Sequence, residues 1–513
     1  MCSIQHGKPS TDRNGAPPFD SVAHAANGGL FHEALLLVRL SRQAWILRRA
    51  VVYILHTRIP TSRVGNVFSF PAHHVSEPKT PCSPVRSLPS RLPQAFAAAA
   101  PGVELHQLND SWKSKIKNVV VLVEENRSFD TFCGMRRTPI SMLMFAPIPL
   151  AADIAKDDPN HSISGVNMQL FSTWHPDEQL VSGAPDWKYQ NMRGFVTEQS
   201  VAYKTEDKAR AAEAINYYTP EHIPVFNAIA ENFVLFDRWF CSVPGPTNPN
   251  RAYLTSGTSH GHGRNDDAFG EYGLPQKSIF EQLSEKNISW INYQNSTTAP
   301  GEGFLPDADF YEWTARSGAN VTNVKPLQQF YADAAAGTLP QFTYINPECC
   351  SYQSYHPPSP INLGEEFIKG IYEAVRNSPQ WDDTLFVLTF DEHGGFGDHV
   401  PPPVNVPDGG DGLQYTEKAT DGKNITFGFN RLGPRVPTIL ISPWVAKGEV
   451  ENKGANNGGE YTHTSILNFL SELWGLEKLT PRVEWSATFE HLILSSRRPD
   501  EDSPRKLPDP VVW

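Results

Sequence analysis

Two apolar runs in this 513-residue chain stop abruptly at acids. Val119–Val123 is closed by Glu124-Glu125-Asn126, and Leu385–Phe390 by Asp391-Glu392. A buried strand that ends this way puts its carboxylates at the C-terminal edge of a sheet. If the two strands are neighbours, Glu125, Asp391, Glu392 and the Asn126 amide oxygen converge. Hard oxygen donors of that kind suit a divalent cation. Taken singly, either end reads more simply as acids that cap a helix or meet solvent. The pair, with the Gly/His/Pro-dense loop His393–Pro403 behind one of them, favours the cation.

A third segment, Ser242-Val243-Pro244-Gly245-Pro246-Thr247-Asn248-Pro249-Asn250-Arg251, follows a strand and precedes a helix expected over Arg251–Thr255. Thr247 then falls at or near a helix N-terminus, where free amides and the helix dipole favour an anion such as phosphate. A metal there would lower the hydroxyl's pKa and make it a nucleophile. Alone, the segment is a Pro-rich turn with a Thr cap. Of the 17 histidines, three lie in loops with unusual neighbours. They are His161 in Asp158-Pro159-Asn160-His161-Ser162, His356 in Tyr355-His356-Pro357-Pro358, and His399. Loop histidines are candidate phosphate donors or general acids. His393 and His463 are weaker candidates, and His463 reads as a cap for the helix behind it.

The elements that must position these residues alternate. Strands are expected at Val119–Val123, Phe233–Phe240, Ser289–Tyr293, Phe342–Ile345, Leu385–Phe390 and Thr438–Ile441. Helical spacing joins Ile223, Phe226, Ile229 and Phe233, then Leu363, Phe367, Ile371 and Val375. Ser278-Ile279-Phe280-Glu281 has the form of a capping box, and Thr464–Leu473 is a helix stopped by Gly475. The pattern is that of an α/β fold, with a mostly parallel central sheet and helices on both faces. In such sheets ligands sit beyond the C-terminal strand ends. Residues 135–220 and 396–430 read as long loops or insertions.

Composition bounds the rest. Apolar residues at 39% and charged residues at 19% exclude collagen, coiled coil and a wholly disordered chain. A net charge of -12 argues against wholesale nucleic-acid binding. Residues 1–110 hold 11 Lys+Arg against 6 Asp+Glu, a net of +5, with loose Pro/Ser stretches. They are expected as a low-order leader or a misplaced start, ahead of a catalytic domain over 111–500 and a tail over 501–513. Leu35–Leu55 is apolar but broken by Arg39, Arg42, Arg48 and Arg49, which excludes a membrane-spanning helix. There is no zinc-type Cys/His spacing. In a secreted protein Cys349 or Cys350 would pair with a distant cysteine such as Cys133 or Cys241. Asn-x-Ser/Thr triplets occur at seven places, Asn126 and Asn287 among them.

Glu125-Asn126-Arg127-Ser128-Phe129-Asp130, Pro246-Thr247-Asn248-Pro249-Asn250-Arg251 and Asp391-Glu392-His393-Gly394-Gly395-Phe396-Gly397-Asp398-His399-Val400-Pro401-Pro402, in this order, resemble the phosphoesterase family. That family contains bacterial and plant non-specific phospholipases C and bacterial acid phosphatases. The likeness is greatest to fungal secreted members described as phosphatidylglycerol-type phospholipases C, and it spans roughly residues 115–495. The resemblance implies an alkaline-phosphatase-like fold and one divalent metal ion held by Glu125, Asn126, Asp391 and Glu392. It also implies Thr247 as nucleophile, and His161 and His356 on the phosphate or in acid–base steps. His399 and Arg251 are expected on the substrate. The implied reaction is phospholipase C hydrolysis of a glycerophospholipid to diacylglycerol and a phosphorylated headgroup, through a phosphothreonine intermediate. The alternative is an acid phosphatase acting on monoesters. A phospholipid or organophosphate substrate, transient contact with a membrane surface, no nucleic acid, and a secreted or wall-associated location follow as expectations. Gly397 stands where many members carry Tyr. A sulfatase would need Cys or Ser at the position of Thr247.

Overall fold

The computed structural model describes residues 111–134, 146–147, 158–270, 272–295, 305–347, 353–453 and 459–512. The Leu35–Leu55 stretch and Cys2, Cys82, Cys349 and Cys350 lie outside them.

The apolar runs become one eight-stranded sheet. In chain order its strands are β1 (Asn118–Glu124), β2 (Val234–Phe236), β3 (Trp290–Gln294), β4 (Val324–Pro326), β5 (Phe342–Asn346), β6 (Thr384–Phe390), β7 (Thr438–Ile441) and β8 (Val450–Glu451). In space the order is β8-β2-β7-β6-β1-β5-β3-β4. All neighbours are parallel except β7, which opposes both β6 and β2. The mostly parallel α/β architecture is therefore as expected. The reversal of β7 was not foreseen, because an apolar run buried on both faces reads alike in either direction. Every residue of β1 and β6 is buried, so both faces of the sheet centre are covered.

Helices around the sheet include α1 (Phe129–Cys133), α2 (Ile163–Phe171), α3 (Pro224–Asn232), α4 (Thr247–Ser256), α5 (Ile279–Glu285), α6 (Ile361–Asn377) and α7 (Thr464–Trp474), with further helical segments between, Leu327–Ala336 among them. The Ser278 hydroxyl accepts the Glu281 amide at 3.3 Å, which opens α5 as the capping box requires. Gly475 ends α7 with φ 64°, a left-handed stop that glycine takes without strain. On α6, Phe367, Ile371 and Val375 are buried with Ile361 and Ile368, while Leu363 stays half-buried.

Three expectations need correcting. The helix expected over Arg251–Thr255 begins four residues earlier, at Thr247. The single strand expected over Phe233–Phe240 is two, β2 and Trp239–Phe240, and the second pairs with Tyr461–Thr462 instead of the main sheet. The described part of 135–220 is largely helical, with Glu178–Ser182, Asp186–Tyr189, Phe195–Ala202 and Lys208–Ala212 following α2. These helices are too short and polar to show a long apolar stripe. The 396–430 insertion does carry long loops, plus a hairpin of Tyr415–Lys418 and Asn424–Phe427.

Cys133 and Cys241 are buried and not disulfide-bonded, so the bridge expected for either is absent from this structure. The Asn126 triplet is fully buried and no use to a glycan. Residues 500–507 run along α6. Arg376 donates to the carbonyls of Ser503 (2.8 Å) and Asp500 (3.0 Å), and Tyr372 to that of Pro504 (2.7 Å). The Leu507 amide donates to Glu373 at 2.9 Å. Among the described residues no helix is long and apolar enough to cross a membrane.

Candidate active site

Glu124 pairs in register with Phe390, so the two acidic strand ends emerge side by side. The Asp391 amide donates to the Glu124 carbonyl at 2.9 Å. Asn126 sits at φ 72°, in the left-handed region that Asn tolerates better than most residues. Its amide donates to Asp391 Oδ1 at 3.1 Å. Gly394 allows the loop after β6 to lie on this turn. It has φ 65°, and a Cβ there would come within 2.1 Å of the Asn126 carbonyl oxygen. Gly394→Ala is therefore expected to cost about 1–3 kcal/mol for the backbone conformation alone, plus displacement of Asn126. A urea unfolding curve with wild-type midpoint would contradict this.

Thr247 is the first residue of α4, after Pro246, and is 6% exposed. Its loop is clamped by Asn250, whose side chain donates to the carbonyls of Gly245 (2.9 Å) and Pro246 (3.1 Å) and accepts the Val243 amide (2.9 Å). Arg251 lies one turn further on, on the same helix face as Thr247. Its buried guanidinium donates to Glu125 Oε1 (2.7 Å), Asp391 Oδ2 (3.0 Å) and the Val123 carbonyl (3.0 Å). Its Nη1 is 3.6 Å from Asp307 Oδ2. Asp307 in turn accepts from Tyr344 (2.5 Å) and Asn346 (2.9 Å) on β5. One cation thus ties α4 to the ends of β1, β6 and β5. Expected on the substrate, Arg251 faces protein carboxylates here.

His161 reaches the same edge. Its Nδ1 is 2.7 Å from the Pro159 carbonyl and so carries the proton. Its Nε2 is 3.7 Å from Glu392 Oε1. Burial alone would lower the pKa of His161, but Glu392 and Asp158 outweigh it and push the value up to about 9. Asn160 fixes the segment by donating to Glu198 at 2.5 Å, and the other Glu198 oxygen accepts from Trp174 at 2.8 Å. His356 donates to the Pro357 carbonyl (2.6 Å) and turns Nε2 to within 3.8 Å of Asp158. Asp158 also accepts the Asn126 amide at 2.8 Å, so it joins both histidines to the end of β1.

Buried acceptors without a partner at this edge include Glu125 Oε2, Asn126 Oδ1 and Glu392 Oε1, as well as both carboxylate oxygens of Glu124. Such atoms are costly to bury. Burial pushes Glu392 up to about 8, with His161 opposing it. Oxygen donors of this kind suit a hard cation, and the charged donor beside Glu392, His161 Nε2, stands 3.7 Å from its Oε1, beyond hydrogen-bond reach. Asp391 differs: Oδ1 already accepts from Asn126 and Glu392 amides, and Oδ2 from Arg251. It serves as the organiser of the other groups as much as a ligand.

His399 belongs to a separate cluster. Its backbone amide and its Nδ1 both lie against Asp130 Oδ2, at 2.8 and 2.6 Å. Ligating atoms of Asp130, Asp398 and His399 gather within 4.8 Å. The Arg435 guanidinium already bridges Asp130 (2.9 Å) and Asp398 (2.5 Å), and fills the cation's place. Burial would lower His399, but Asp130 outweighs it and raises the pKa. For Asp130, burial would raise the value, but Arg435 and His399 hold it below the usual carboxylate range. The raised imidazole contributes stability that is complete below its ordinary pKa and lost as pH rises through the folded value. Asp130→Asn should therefore destabilise the fold more at about pH 6 than at about pH 9, read from urea unfolding at both.

A profile described as the phosphoesterase family matches residues 116–477. The chain belongs to the phosphoesterase family. This phosphoesterase is 35% identical to a non-specific phospholipase C of Arabidopsis thaliana, over 79% of this chain and 77% of that one. It is 34% identical to a second from the same plant, over 77% and 74%. A non-hemolytic phospholipase C of Burkholderia pseudomallei is 28% identical, over 69% of this chain and 54% of that one. Among solved structures, a protein of the alkaline phosphatase superfamily from Vibrio parahaemolyticus superposes with TM-score 0.32 at 11% identity, over 76% of this chain and 72% of that one.

Asp307, Glu198 and Arg435 were absent from the sequence reading. Each acts through partners far away in the chain, and nothing in its neighbours marks it. Asp130, Asp158 and Asp398 were within reach, since all three stand inside segments singled out for other residues.

Proposed function

We propose that this phosphoesterase is a phospholipase C, with Thr247 as nucleophile. The observation that carries the reading is the meeting, at one sheet edge, of His161, the unpartnered acceptor oxygens of Glu125, Asn126 and Glu392, and the helix that begins at Thr247. The three phospholipases C named above support a diester substrate over the monoester alternative. Glu125, Asn126 and Glu392, organised by Asp391, would hold a divalent cation. When bound, it neutralises phosphate charge and favours the ionised hydroxyl. The Thr247 hydroxyl attacks phosphorus and the bond to the glycerol oxygen breaks. His356 gives a proton from Nε2, the nitrogen turned to Asp158, to the departing diacylglycerol oxygen, and the proton of the Thr247 hydroxyl passes to solvent. Water then cleaves the phosphothreonine and releases the phosphorylated headgroup. His161 donates to a phosphate oxygen. A cavity of about 680 Å³ is lined by Ser162, the residue after His161 in the chain, with Arg264, Tyr415, Glu417 and Lys418 among others.

The test is hydrolysis of a chromogenic phosphocholine diester and of a phosphate monoester in parallel, with and without chelator. Diester turnover that chelator abolishes is expected. Monoester turnover alone would replace phospholipase C with phosphatase and leave the site assignment standing.

A further inference from the structure

Glu198 is fully buried on the helix Phe195–Ala202. Among the described residues no Lys, Arg or His nitrogen lies within 4.0 Å of it. Burying a carboxylate without a cation is costly. Its two oxygens meet two N–H donors instead, Asn160 Nδ2 at 2.5 Å and Trp174 Nε1 at 2.8 Å. An indole can only donate, so its partner must be an acceptor. The Asn160 amide is then turned one way. With Nδ2 on Glu198, its Oδ1 accepts the Ser162 amide at 3.1 Å, a bond that spans His161. The Asn160 carbonyl accepts from Gln169 at 2.7 Å. Gly165 leaves room for this arrangement, since a Cβ there would come within 2.7 Å of Asn160 Nδ2. Trp174 is itself anchored. Its ring packs on the cluster of Ile163, Tyr253 and Phe427, and its carbonyl accepts from Asn167 at 3.1 Å.

Both chain neighbours of His161 are therefore held by bonds that trace back to Glu198: Asn160 directly, and Ser162 through the Asn160 oxygen. The imidazole between them keeps Nδ1 on the Pro159 carbonyl and presents Nε2 toward Glu392. We propose that Glu198 is a positioning residue of the phosphoesterase reaction, which sets the Asn160 amide and, through it, the place of His161. The inference rests on the reading of His161 as a phosphate donor. Misplacing such a group by about 1 Å costs about 10²-fold in rate. Glu198→Gln puts one acceptor and one donor where both partners donate, so one N–H must face another. If Asn160 turns over to relieve this, the conflict moves to the Ser162 amide. Exchanging the two residue types, Asn160→Asp with Glu198→Gln, removes it. The aspartate then accepts from Ser162 and from the glutamine amide, and the glutamine oxygen accepts from Trp174.

A positioning role and a merely structural one separate in a double-mutant cycle with His161. Turnover of the chromogenic phosphocholine diester is measured per folded molecule of the full chain carrying Glu198→Gln, alone and together with His161→Ala. Glu198→Gln should lower kcat/KM by about 10²-fold while His161 is present. In the His161→Ala background it should cost about twofold or less, because the group it places is gone. The exchange with Asn160→Asp should recover most of the loss. Trp174→Phe keeps the ring and removes one donor. It runs the same cycle if Glu198→Gln does not fold, with a smaller loss that again requires His161. Equal losses with and without His161 would make Glu198 a structural residue and overturn the inference. Unchanged turnover in a folded Glu198→Gln protein would do the same, and both outcomes leave the role of His161 standing. Full turnover by His161→Ala, or no diester turnover by the wild type, would instead overturn the reading of His161, and this inference with it.

Discussion

Thr247→Ala is expected to remove phosphodiester turnover, lowering kcat by about 10³-fold or more, while leaving the fold almost untouched. The structure explains why the two effects separate. Thr247 makes no side-chain capping bond at the start of α4. The local geometry is held by the Asn250 clamp and by Arg251, and neither uses the threonine side chain. Removing the hydroxyl therefore takes away a reacting atom and little packing. Thr247→Ser keeps an oxygen at the same place and should retain a large part of the activity. The check is kcat for wild type, Thr247→Ser and Thr247→Ala beside their thermal unfolding curves. Acid-quenched wild type should also carry phosphate on Thr247. Full turnover by Thr247→Ala would transfer the nucleophile's role to another group, a water molecule first among them.

Arg251→Met should be the most damaging single change to stability. It removes the one side chain that compensates Glu125, Asp391 and Asp307 together, all fully buried. Breaking a buried ion pair from one side costs about 3–5 kcal/mol, because the abandoned charge stays buried. Burial already raises the Glu125 pKa well above the carboxylate range, with Arg251 pulling against it. Without the guanidinium the carboxylates will prefer to be protonated. A raised acid pKa in the folded state means stability that is present at low pH and lost as pH rises. The deficit of Arg251→Met should therefore be smaller at about pH 5 than at about pH 8. Urea unfolding at the two values tests both size and sign. A deficit independent of pH would mean that lost packing, and not uncompensated charge, accounts for the damage.

The two acidic strand ends were legible because in each a long apolar run gives way at once to two adjacent acids. Sequence could not say that those strands are neighbours. That follows from the order of the sheet, where β1 pairs with both β5 and β6. The place of Thr247 was readable from its Pro-rich turn, although the helix start was set four residues late. Proline at 249 and glycine at 245 look like a continuing loop until Asn250 is seen clamping Val243, Gly245 and Pro246. The partners of Arg251 were hidden, since they lie 126 and 140 positions away. His399 likewise meets Asp130 across 269 positions. Such long-range pairing of charges leaves no local pattern, while alternation, capping and acid-ended strands do.

The docking of residues 500–507 on α6 bears on how far the chain can be shortened. Arg376 is 1% exposed, and its hydrogen bonds to backbone end on carbonyls of that last segment. A protein cut at 499 would keep every residue of the sheet and of the active site. It would nonetheless expose a flank of the longest helix among the described residues and strip a guanidinium of its acceptors. Protease susceptibility and poor yield would then arise far from the chemistry, from the loss of a few residues that catalyse nothing.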